Sequence, residues 1–263
     1  MELRGKRVLI TGASRGIGAA LASEFATAGA TVALVARSGD AIRKLAADLG
    51  GTAHPADLAD LEQVRTLIQH VEDEAGPVDI LVNNAGVDYT GSIAGMSADD
   101  LDALLRLNLI TPAELCRQAI PRMLRRGAGH IVNVSSLAGA GVYPGLVAYS
   151  TSKAGLTHLT AGLRADLKGL PIGTTVVELG PIPTDMIGSV RAYSPTDQSF
   201  RRFERLQLMR DTPAEKVAEA VVDAVSKGRR HVRFPKRAAL FPMITEAPRR
   251  IVEVLLTGVK HQA

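Results

Sequence analysis

The sequence predicts an α/β fold, in which a doubly wound parallel sheet of about seven strands carries helices on both faces. Short apolar runs alternate with stretches of helical composition through the first two thirds of the chain, a pattern typical of parallel sheets. The 263 residues are 46% hydrophobic, enough for one large core. Because no repeat or linker interrupts this pattern, residues 1–263 are predicted to form a single domain.

Seven runs are predicted as strands because each is short, is mainly apolar or β-branched, and is bounded by turn residues. They are Arg7–Thr11, Thr31–Ala36, Thr52–His54, Ile80–Asn83, His130–Val134, Thr174–Leu179 and His231–Phe234.

A glycine-rich turn, Gly12-Ala-Ser-Arg-Gly16-Ile-Gly18, joins the first predicted strand to a stretch of helical composition. Strand, glycine turn and helix in this order place backbone N–H groups and the positive end of a helix dipole against a pyrophosphate. The glycines let the turn close and let a ligand approach the backbone. A turn without a ligand is the alternative, but the flanking elements favour a dinucleotide-binding Rossmann fold.

The end of the second strand indicates which dinucleotide binds. An acidic residue at this place hydrogen-bonds the ribose 2′-hydroxyl of NAD, but here Ala36 and Arg37 occupy it. Arg15 lies inside the glycine turn, so two guanidinium groups are available for a 2′-phosphate. Two solvated arginines are the alternative interpretation. The pattern favours NADP(H) over NAD(H).

A tyrosine and a lysine, Tyr149 and Lys153, stand four residues apart at the start of a predicted helix. Positions i and i+4 share one helix face, so the phenol and the ammonium can point into one site. A nearby cation favours the phenolate and lowers the pKa of the tyrosine toward working pH. The pair alone is weak evidence, because such spacing occurs by chance in many helices.

Together with other motifs in the same order, these features resemble the classical short-chain dehydrogenases/reductases of the NADP(H)-preferring type. The resemblance runs from about Gly5 to about Met186. Its further motifs are Asp57-Leu58, Asn83-Asn-Ala-Gly86, Asn108, Ile131-Val-Asn-Val-Ser-Ser136 and Gly180-Pro-Ile-Pro-Thr184. Ser136 is preferred to Ser135 as the catalytic serine because its distance from Tyr149 is the family's usual interval.

The resemblance implies four catalytic residues. Ser136 would hydrogen-bond the substrate oxygen, and Tyr149 would give or take the proton. Lys153 would hold the nicotinamide ribose and lower the tyrosine pKa, while Asn108 would hold a water that links Lys153 to solvent. The implied cofactor-binding residues are Gly12, Ser14, Arg15, Gly16, Ile17, Gly18, Arg37, Asp57, Leu58, Asn84, Ala85, Gly86, Tyr149, Lys153, Gly180, Pro181, Ile182 and Thr184.

Several single residues have simpler interpretations. Glu178 stands where the family usually begins an Asn-Pro-Gly segment; we predict a solvated surface residue, and contact with substrate is the alternative. Asp57 can also cap the following helix. Cys116 is the one cysteine of the chain and is predicted to be a small packing residue. The spacing of the six histidines predicts no metal site.

Two segments are expected to shape the substrate region. Residues 187–211 carry apolar side chains typical of a mobile lid helix, and residues 236–263 form a C-terminal extension. The apolar residues of this extension are interrupted by Pro242 and Pro248, which predicts a broken amphipathic helical region. A small hydrophobic molecule is therefore the expected substrate.

Charge is unevenly distributed along the chain. The net charge is −3 up to Phe200 and +7 from Arg201 onward. A solvated basic rim is the favoured interpretation; an anionic substrate tail or an acidic carrier protein is an alternative, and peripheral membrane contact is disfavoured. No nucleic-acid partner is expected, since no binding module is evident and aromatic residues make up 3%. A single cysteine and an early first strand predict a cytoplasmic protein, and the resemblance implies a homodimer or homotetramer.

The leading functional hypothesis is an NADP(H)-dependent oxidoreductase acting on the alcohol/carbonyl pair of a hydrophobic ketone, aldehyde, steroid or lipid. Reduction of a 3-oxoacyl thioester is the first alternative. In the family, bacterial reductases of that kind usually end with a strand that carries an aspartate and paired glycines. That ending is missing after Val232-Arg-Phe-Pro235. A regulatory protein that binds NADP(H) without turnover is the second alternative, disfavoured because Tyr149 and Lys153 are both present.

Overall fold

A computed structural model describes residues 1–182, 188, 191–206 and 211–255 of the chain. Its core is a seven-stranded sheet in the order β3-β2-β1-β4-β5-β6-β7, with every neighbouring pair parallel. The strands are β1 (Arg7–Thr11), β2 (Thr31–Ala36), β3 (Thr52–Pro55), β4 (Ile80–Asn83), β5 (Gly129–Ser136), β6 (Ile172–Leu179) and β7 (His231–Phe234). The predicted fold class and all seven predicted strands are confirmed, with shifts of at most two residues at an end.

Helices connect successive strands. They are α1 (Gly16–Thr27), α2 (Gly39–Leu49), α3 (Leu61–Ala75), α4 (Ala98–Leu105), α5 (Thr111–Arg126), α6 (Val147–Asp166), α7 (Ser194–Arg205), α8 (Ala214–Ser226) and α9 (Leu240–Leu255). A π-helical turn, Arg106–Ile110, joins α4 to α5.

The alternation of side chains along each strand divides the core into two layers. In β1, Val8 and Ile10 face a cluster shared with α1, α2 and α8, whereas Leu9 faces a cluster shared with α3 and α5. The continuous apolar composition of this strand follows from its being covered on both faces.

The C-terminal extension differs from its prediction. Residues Leu240–Leu255 form one continuous helix, α9, rather than a broken region. Pro242 stands in the first turn, where a backbone N–H has no helical acceptor, so it does not interrupt the helix. Pro248 lies inside the helix and removes one hydrogen bond without ending it. Among the described residues, no helix combines the length and the apolar character that crossing a membrane requires.

The prediction for Glu178 is also wrong. Its side chain is buried, and its Oε2 accepts a hydrogen bond of 2.6 Å from Nε of Arg233 on the neighbouring strand β7. Arg233 also donates to Glu246 of α9 at 2.6 Å. His231 Nε2 lies 2.8 Å from the other oxygen of Glu246. Glu178 therefore belongs to a buried charge network between β6, β7 and α9, because register places Arg233 directly beside it.

Candidate active site

The sequence-predicted site residues that the structure describes lie near the carboxyl ends of the parallel strands. Strands β1, β2, β3, β4, β5 and β6 are parallel, and the predicted residues follow or end each of them. The chain order reverses between β1 and β4, which are neighbours in the sheet. Ligands of open α/β sheets bind outside the carboxyl ends of the strands at such a switch point.

The glycine turn after β1 needs its glycines. Gly12 has φ +66° and Gly16 has φ +56°, a region that other residues rarely adopt. Gly18 lies in the first turn of α1, and a Cβ there would stand 2.2 Å from the backbone oxygen of Gly12. The start of α1 and the turn after β1 thus approach so closely that only glycine fits between them.

Residues after β4 hold this turn in place. Asn84 donates hydrogen bonds from Nδ2 to the backbone oxygens of Thr11 and Gly12, at 3.0 and 3.2 Å. The backbone N–H groups of Asn84 and Ala85 both donate to Oγ1 of Thr11, at 3.0 and 3.1 Å. A Cβ at Gly86 would lie 3.3 Å from Nζ of Lys153, so this segment also adjoins the lysine.

The two arginines predicted to select the cofactor are both exposed. Arg15 is the N-cap residue of α1, and Arg37 directly follows β2. Ser14 is half-buried beside Arg15. The last residue of β2 is the buried Ala36, so no carboxylate ends this strand.

Asp57 and Leu58 follow β3, but Asp57 caps no helix. Its Oδ1 accepts from the backbone N–H of Ala59 at 3.0 Å, whereas Asp60 is the cap of α3 and accepts from Glu62. The alternative that Asp57 caps the following helix is therefore wrong. The cap of α3 is Asp60, which stands directly before the helix. Leu58 is buried, and its backbone oxygen accepts a hydrogen bond from Thr111 of α5 at 2.7 Å.

A cleft of about 900 Å³, a figure that includes open solvent, runs along the carboxyl ends of β4, β5 and β6. It brings together the catalytic candidates Ser136, Tyr149 and Lys153 with several cofactor candidates. Its lining residues are Ile17, Asn84, Gly86, Asp88, Val134, Ser135, Ser136, Leu137, Ala138, Tyr143, Leu146, Tyr149, Lys153, Leu179, Gly180, Pro181, Ile182 and Phe200.

The tyrosine and the lysine face this cleft from the first two turns of α6. Nζ of Lys153 lies 5.8 Å from the centre of the Tyr149 ring and donates a 3.0 Å hydrogen bond to the backbone oxygen of Val134. The i, i+4 spacing thus places both groups on one face of the helix, as the sequence predicts. Ser136, at the end of β5, lines the same cleft as Tyr149.

Burial has the largest effect on the pKa of both groups. It raises the pKa of Tyr149 to about 12, although the Ser136 hydrogen bond lowers it; the charge of Asp88 raises it further. Burial lowers the pKa of Lys153 to about 8. Lys153 is not among the causes that act on the pKa of Tyr149 in this structure, and the lowering of the tyrosine pKa by the lysine stays a prediction.

Ser135 and Ser136 have different environments. Oγ of Ser135 lies against α6, where it donates to the backbone oxygen of Lys153 at 2.9 Å and pairs with Thr157 at 2.7 Å. Oγ of Ser136 donates to the backbone oxygen of Leu179 at 3.1 Å and lies beside Tyr149. Both hydroxyls donate to a backbone oxygen, that of Ser135 toward α6 and that of Ser136 toward β6, and the choice of Ser136 as the catalytic serine stays a prediction.

Asn108 is fully buried in the π-helical turn, and its side chain is already engaged. Oδ1 accepts from the backbone N–H of Val87 at 2.9 Å, while Nδ2 donates to the backbone oxygen of Val87 at 2.8 Å and to Ser152 at 3.0 Å. Ser152 in turn donates to the backbone oxygen of Tyr149 at 2.7 Å. The side chain therefore positions the start of α6, and the role of Asn108 in holding a water stays a prediction.

Past β6, Gly180 donates its N–H to the backbone oxygen of Phe234 at 2.7 Å, and Pro181 and Ile182 are buried beside the cleft. Thr184 lies outside the described residues together with residues 183, 185 and 186. So do residues 187, 189–190 and 207–210 of the predicted lid and residues 256–263 of the C-terminal extension.

The outer wall of the cleft is apolar. Tyr143 packs edge-on against Phe200 of α7, with ring centres 5.7 Å apart, and Leu146 is buried with them. Phe200, on α7 in the described part of the predicted lid segment, therefore lines the cleft, and the role of the segment as a lid stays a prediction. Sequence reasoning missed Tyr143, Leu146 and Asp88, because the loops after β4 and β5 carry no spacing that marks them.

The family model for short chain dehydrogenase matches residues 6–194 of this chain. The ketoacyl reductase HetN of Nostoc sp. is 36% identical over 229 residues, which are 85% of this chain and 76% of that protein. Several other curated relatives are longer, and the chain spans 19% to 59% of their length.

Two solved structures share the fold. A metagenomic short-chain oxidoreductase in complex with NADP is 31% identical, has a TM-score of 0.70, and is matched over 86% of this chain and 92% of that one. A short chain dehydrogenase/reductase from Burkholderia phymatum in complex with NAD is 24% identical, has a TM-score of 0.80, and is matched over 100% of this chain and 99% of that one.

Proposed function

Because the chain belongs to the short-chain dehydrogenase family and is an oxidoreductase of that family, we propose that it uses NADP(H) to interconvert a carbonyl and an alcohol on a hydrophobic substrate. The observation that carries the proposal is the convergence of Ser136, Tyr149 and Lys153 on one cleft, next to the glycine turn and the Gly180–Ile182 segment. The apolar wall of Tyr143, Leu146 and Phe200 supports a hydrophobic substrate.

The residues at the carboxyl ends of β1 and β2 fit a dinucleotide. The close approach of Gly18 to Gly12 requires glycine there, and the N-terminus of α1, where backbone N–H groups lie, suits a pyrophosphate. The absence of a carboxylate at the end of β2, with Arg37 and Arg15 exposed nearby, supports the phosphorylated form of the cofactor. When bound, the nicotinamide supplies or accepts the hydride.

The side chains of the cleft then have distinct tasks. Ser136 holds the substrate oxygen, since its Oγ lies beside the phenol and is anchored by the backbone of Leu179. Tyr149 gives its proton to that oxygen, and a pKa of about 12 keeps the phenol protonated near neutrality, as reduction of a carbonyl requires. Lys153 carries positive charge at pH 7, because its pKa of about 8 lies above that value.

The experiment is turnover of NADPH and NADH with a panel of aldehydes, ketosteroids, long-chain ketones and 3-oxoacyl thioesters. Tyr149→Phe should lose activity by at least about 100-fold, as expected on removal of a general acid. Tyr89→Phe is the matched control, because Tyr89 lies outside the lining of the cleft and should keep its activity. Substantial activity in Tyr149→Phe would refute the role of the phenol.

The cofactor preference is tested separately. Arg37→Ala should raise KM for NADPH about 10-fold or more and leave KM for NADH nearly unchanged, since a charge-assisted contact contributes about 1.5–3 kcal/mol. Arg125→Ala, an exposed arginine at the end of α5, serves as control. A wild-type preference for NADH would contradict the NADP(H) assignment.

Reduction of a 3-oxoacyl thioester is the second candidate, and the similarity to a protein named ketoacyl reductase supports it. The basic residues after Arg201 would then receive an acidic carrier. The chain after β7 argues against it, because it continues into a charged 3₁₀ turn and α9. A strong preference for free ketones over their thioester counterparts would reject this candidate.

A further inference from the structure

Three potential metal ligands meet far from the cleft, on the opposite half of the sheet. His54 lies on β3, which is an edge strand, while His70 and Glu74 lie one turn apart on α3. The cleft residues, by contrast, lie around β4, β5 and β6. The i, i+4 spacing of His70 and Glu74 places both on the helix face that covers His54.

The three side chains form a compact cluster around one carboxylate. Nδ1 of His54 lies 3.0 Å from Oε2 of Glu74, and Nε2 of His70 lies 3.0 Å from Oε1 of the same group. The three potential ligand atoms all lie within 4.8 Å of one another. In a tetrahedral zinc site with bonds of about 2.0–2.1 Å, neighbouring ligand atoms stand about 3.3 Å apart. Small side-chain adjustments would therefore bring the cluster to that geometry.

His54 supplies an independent indication of a ligand. It is 3% exposed, and its Nε2 lies 2.8 Å from Oγ1 of Thr52. Its Nδ1 has no well-formed hydrogen bond to any described atom, because the approach of Glu74 lacks hydrogen-bond geometry. A buried polar nitrogen is rarely left this way. Metal-binding histidines are commonly held through their second nitrogen, as Thr52 holds this one.

Two charged groups close to His54 would act on a bound metal in opposite directions. Arg7 is a nearby cation that weakens the attraction for a metal, whereas the Glu74 carboxylate strengthens it.

We propose that His54, His70 and Glu74 form a binding site for a divalent transition metal, for which Zn²⁺ is the best match. Two imidazoles and one carboxylate are a donor set that zinc accepts, with water in the fourth position. Such an ion would join β3 to α3, the two elements that flank Asp57 and Leu58. The histidine spacing predicted no metal site, because one ligand comes from a strand and joins the other two only in the folded chain.

The test uses untagged protein stripped of metal with a chelator and dialysed. Titration with Zn²⁺ in a calorimeter at pH 7.5 should give one site per chain with Kd in the micromolar range or below. Co²⁺ serves as a second probe, since nitrogen–oxygen coordination gives visible absorption bands. Zn²⁺ at 100 times Kd should raise Tm by about 5–10 °C.

Glu74→Gln and His70→Ala are the informative variants, because both side chains are largely exposed and their loss leaves the core intact. Each should weaken Zn²⁺ binding by at least about 10-fold and abolish the Co²⁺ bands. His158→Ala removes an exposed histidine on α6 and should bind as the wild type does. The proposal is overturned if the wild type binds no Zn²⁺ at about 0.1 mM, a concentration on the order of 100 times a micromolar Kd. It is also overturned if both cluster variants bind Zn²⁺ as the wild type does.

Discussion

Asn84 joins the end of β4 to the glycine turn by a 3.2 Å hydrogen bond from its Nδ2 to the backbone oxygen of Gly12. The same oxygen lies against Gly18 of α1, where a Cβ would stand 2.2 Å away. One carbonyl thus fixes the position of both the helix start and the neighbouring strand end. The turn is held from two sides, which keeps its N–H groups in place for a ligand.

Substitution of Gly18 should therefore impair cofactor binding. In Gly18→Ala, the new methyl group would collide with the oxygen of Gly12 and with Nδ2 of Asn84, 2.7 Å away. We expect KM for the preferred cofactor to rise at least about 10-fold, since small misplacements at a binding site are costly. Steady-state kinetics with varied cofactor measure the change.

Gly162→Ala is the control for this substitution. Gly162 is exposed near the C-terminal end of α6, where a Cβ would meet nothing within 4 Å. Alanine is favoured over glycine in a helix by about 1 kcal/mol, so this variant should keep its cofactor KM and gain slightly in stability. Equal cofactor KM values in the two variants would contradict the proposed role of the Gly12–Gly18 contact.

Removal of the Asp88 charge should shift the pH dependence of turnover. Burial is the main cause of the raised pKa of Tyr149, and the negative charge of Asp88 raises it further. Asp88→Asn should therefore lower the pKa of Tyr149 and move the highest-pH step of the reductive kcat/KM profile to lower pH, while the step near pH 8 that Lys153 produces stays in place. Asp99→Asn, on the exposed start of α4, should leave the profile in place. A shift to higher pH in Asp88→Asn would contradict the electrostatic argument.

Most of the fold could be predicted from the sequence, because a buried parallel strand needs a run of apolar residues and the chain carries these runs at regular intervals. The run Arg7–Thr11 is an example: its alternate residues enter two different core clusters. The positions of the predicted site residues follow from the same topology, since parallel strands end at one edge. Their roles in binding and catalysis remain predictions.

What the sequence could not predict depends on contacts between distant residues. Glu178 looks like a surface residue until β7 places Arg233 beside it and α9 supplies Glu246. No motif or residue spacing in the sequence points to Asp88, yet it lines the cleft with Tyr149. The pKa of Tyr149 likewise depends on how completely the fold desolvates the phenol, which a helical spacing of Tyr149 and Lys153 does not reveal.

Cys116 should be unreactive in the folded protein. It is 1% exposed in the core between the sheet and α5, and burial raises its pKa to about 12. The thiolate is the reactive form, so a thiol reagent at pH 8 should react at least about 100-fold more slowly with the native protein than with the unfolded one. Because the chain has one cysteine, the denatured protein should titrate one thiol. Rapid reaction of the native protein would show that this part of the core opens readily.

Glu246 should make the stability of the protein dependent on acid pH. Burial alone would raise its pKa, but hydrogen bonds from His231 and Arg233 outweigh that effect and bring it to about 2, from 4.5. A carboxylate whose pKa is lower in the folded state stabilises the protein above its unfolded pKa. This contribution is therefore present above about pH 4.5 and is lost as the pH falls toward 2.

Glu246→Gln should thus lower the free energy of unfolding by about 1–3 kcal/mol at pH 7, because Arg233 and His231 lose their buried partner. Denaturant titrations at pH 7, 5, 4 and 3 measure the difference from the wild type, which should shrink below about pH 4.5. Glu219→Gln neutralises an exposed carboxylate on α8 and should change stability by less than about 0.5 kcal/mol at each pH. A difference for Glu246→Gln that stays constant down to pH 3 would show that its effect comes from packing and not from its charge.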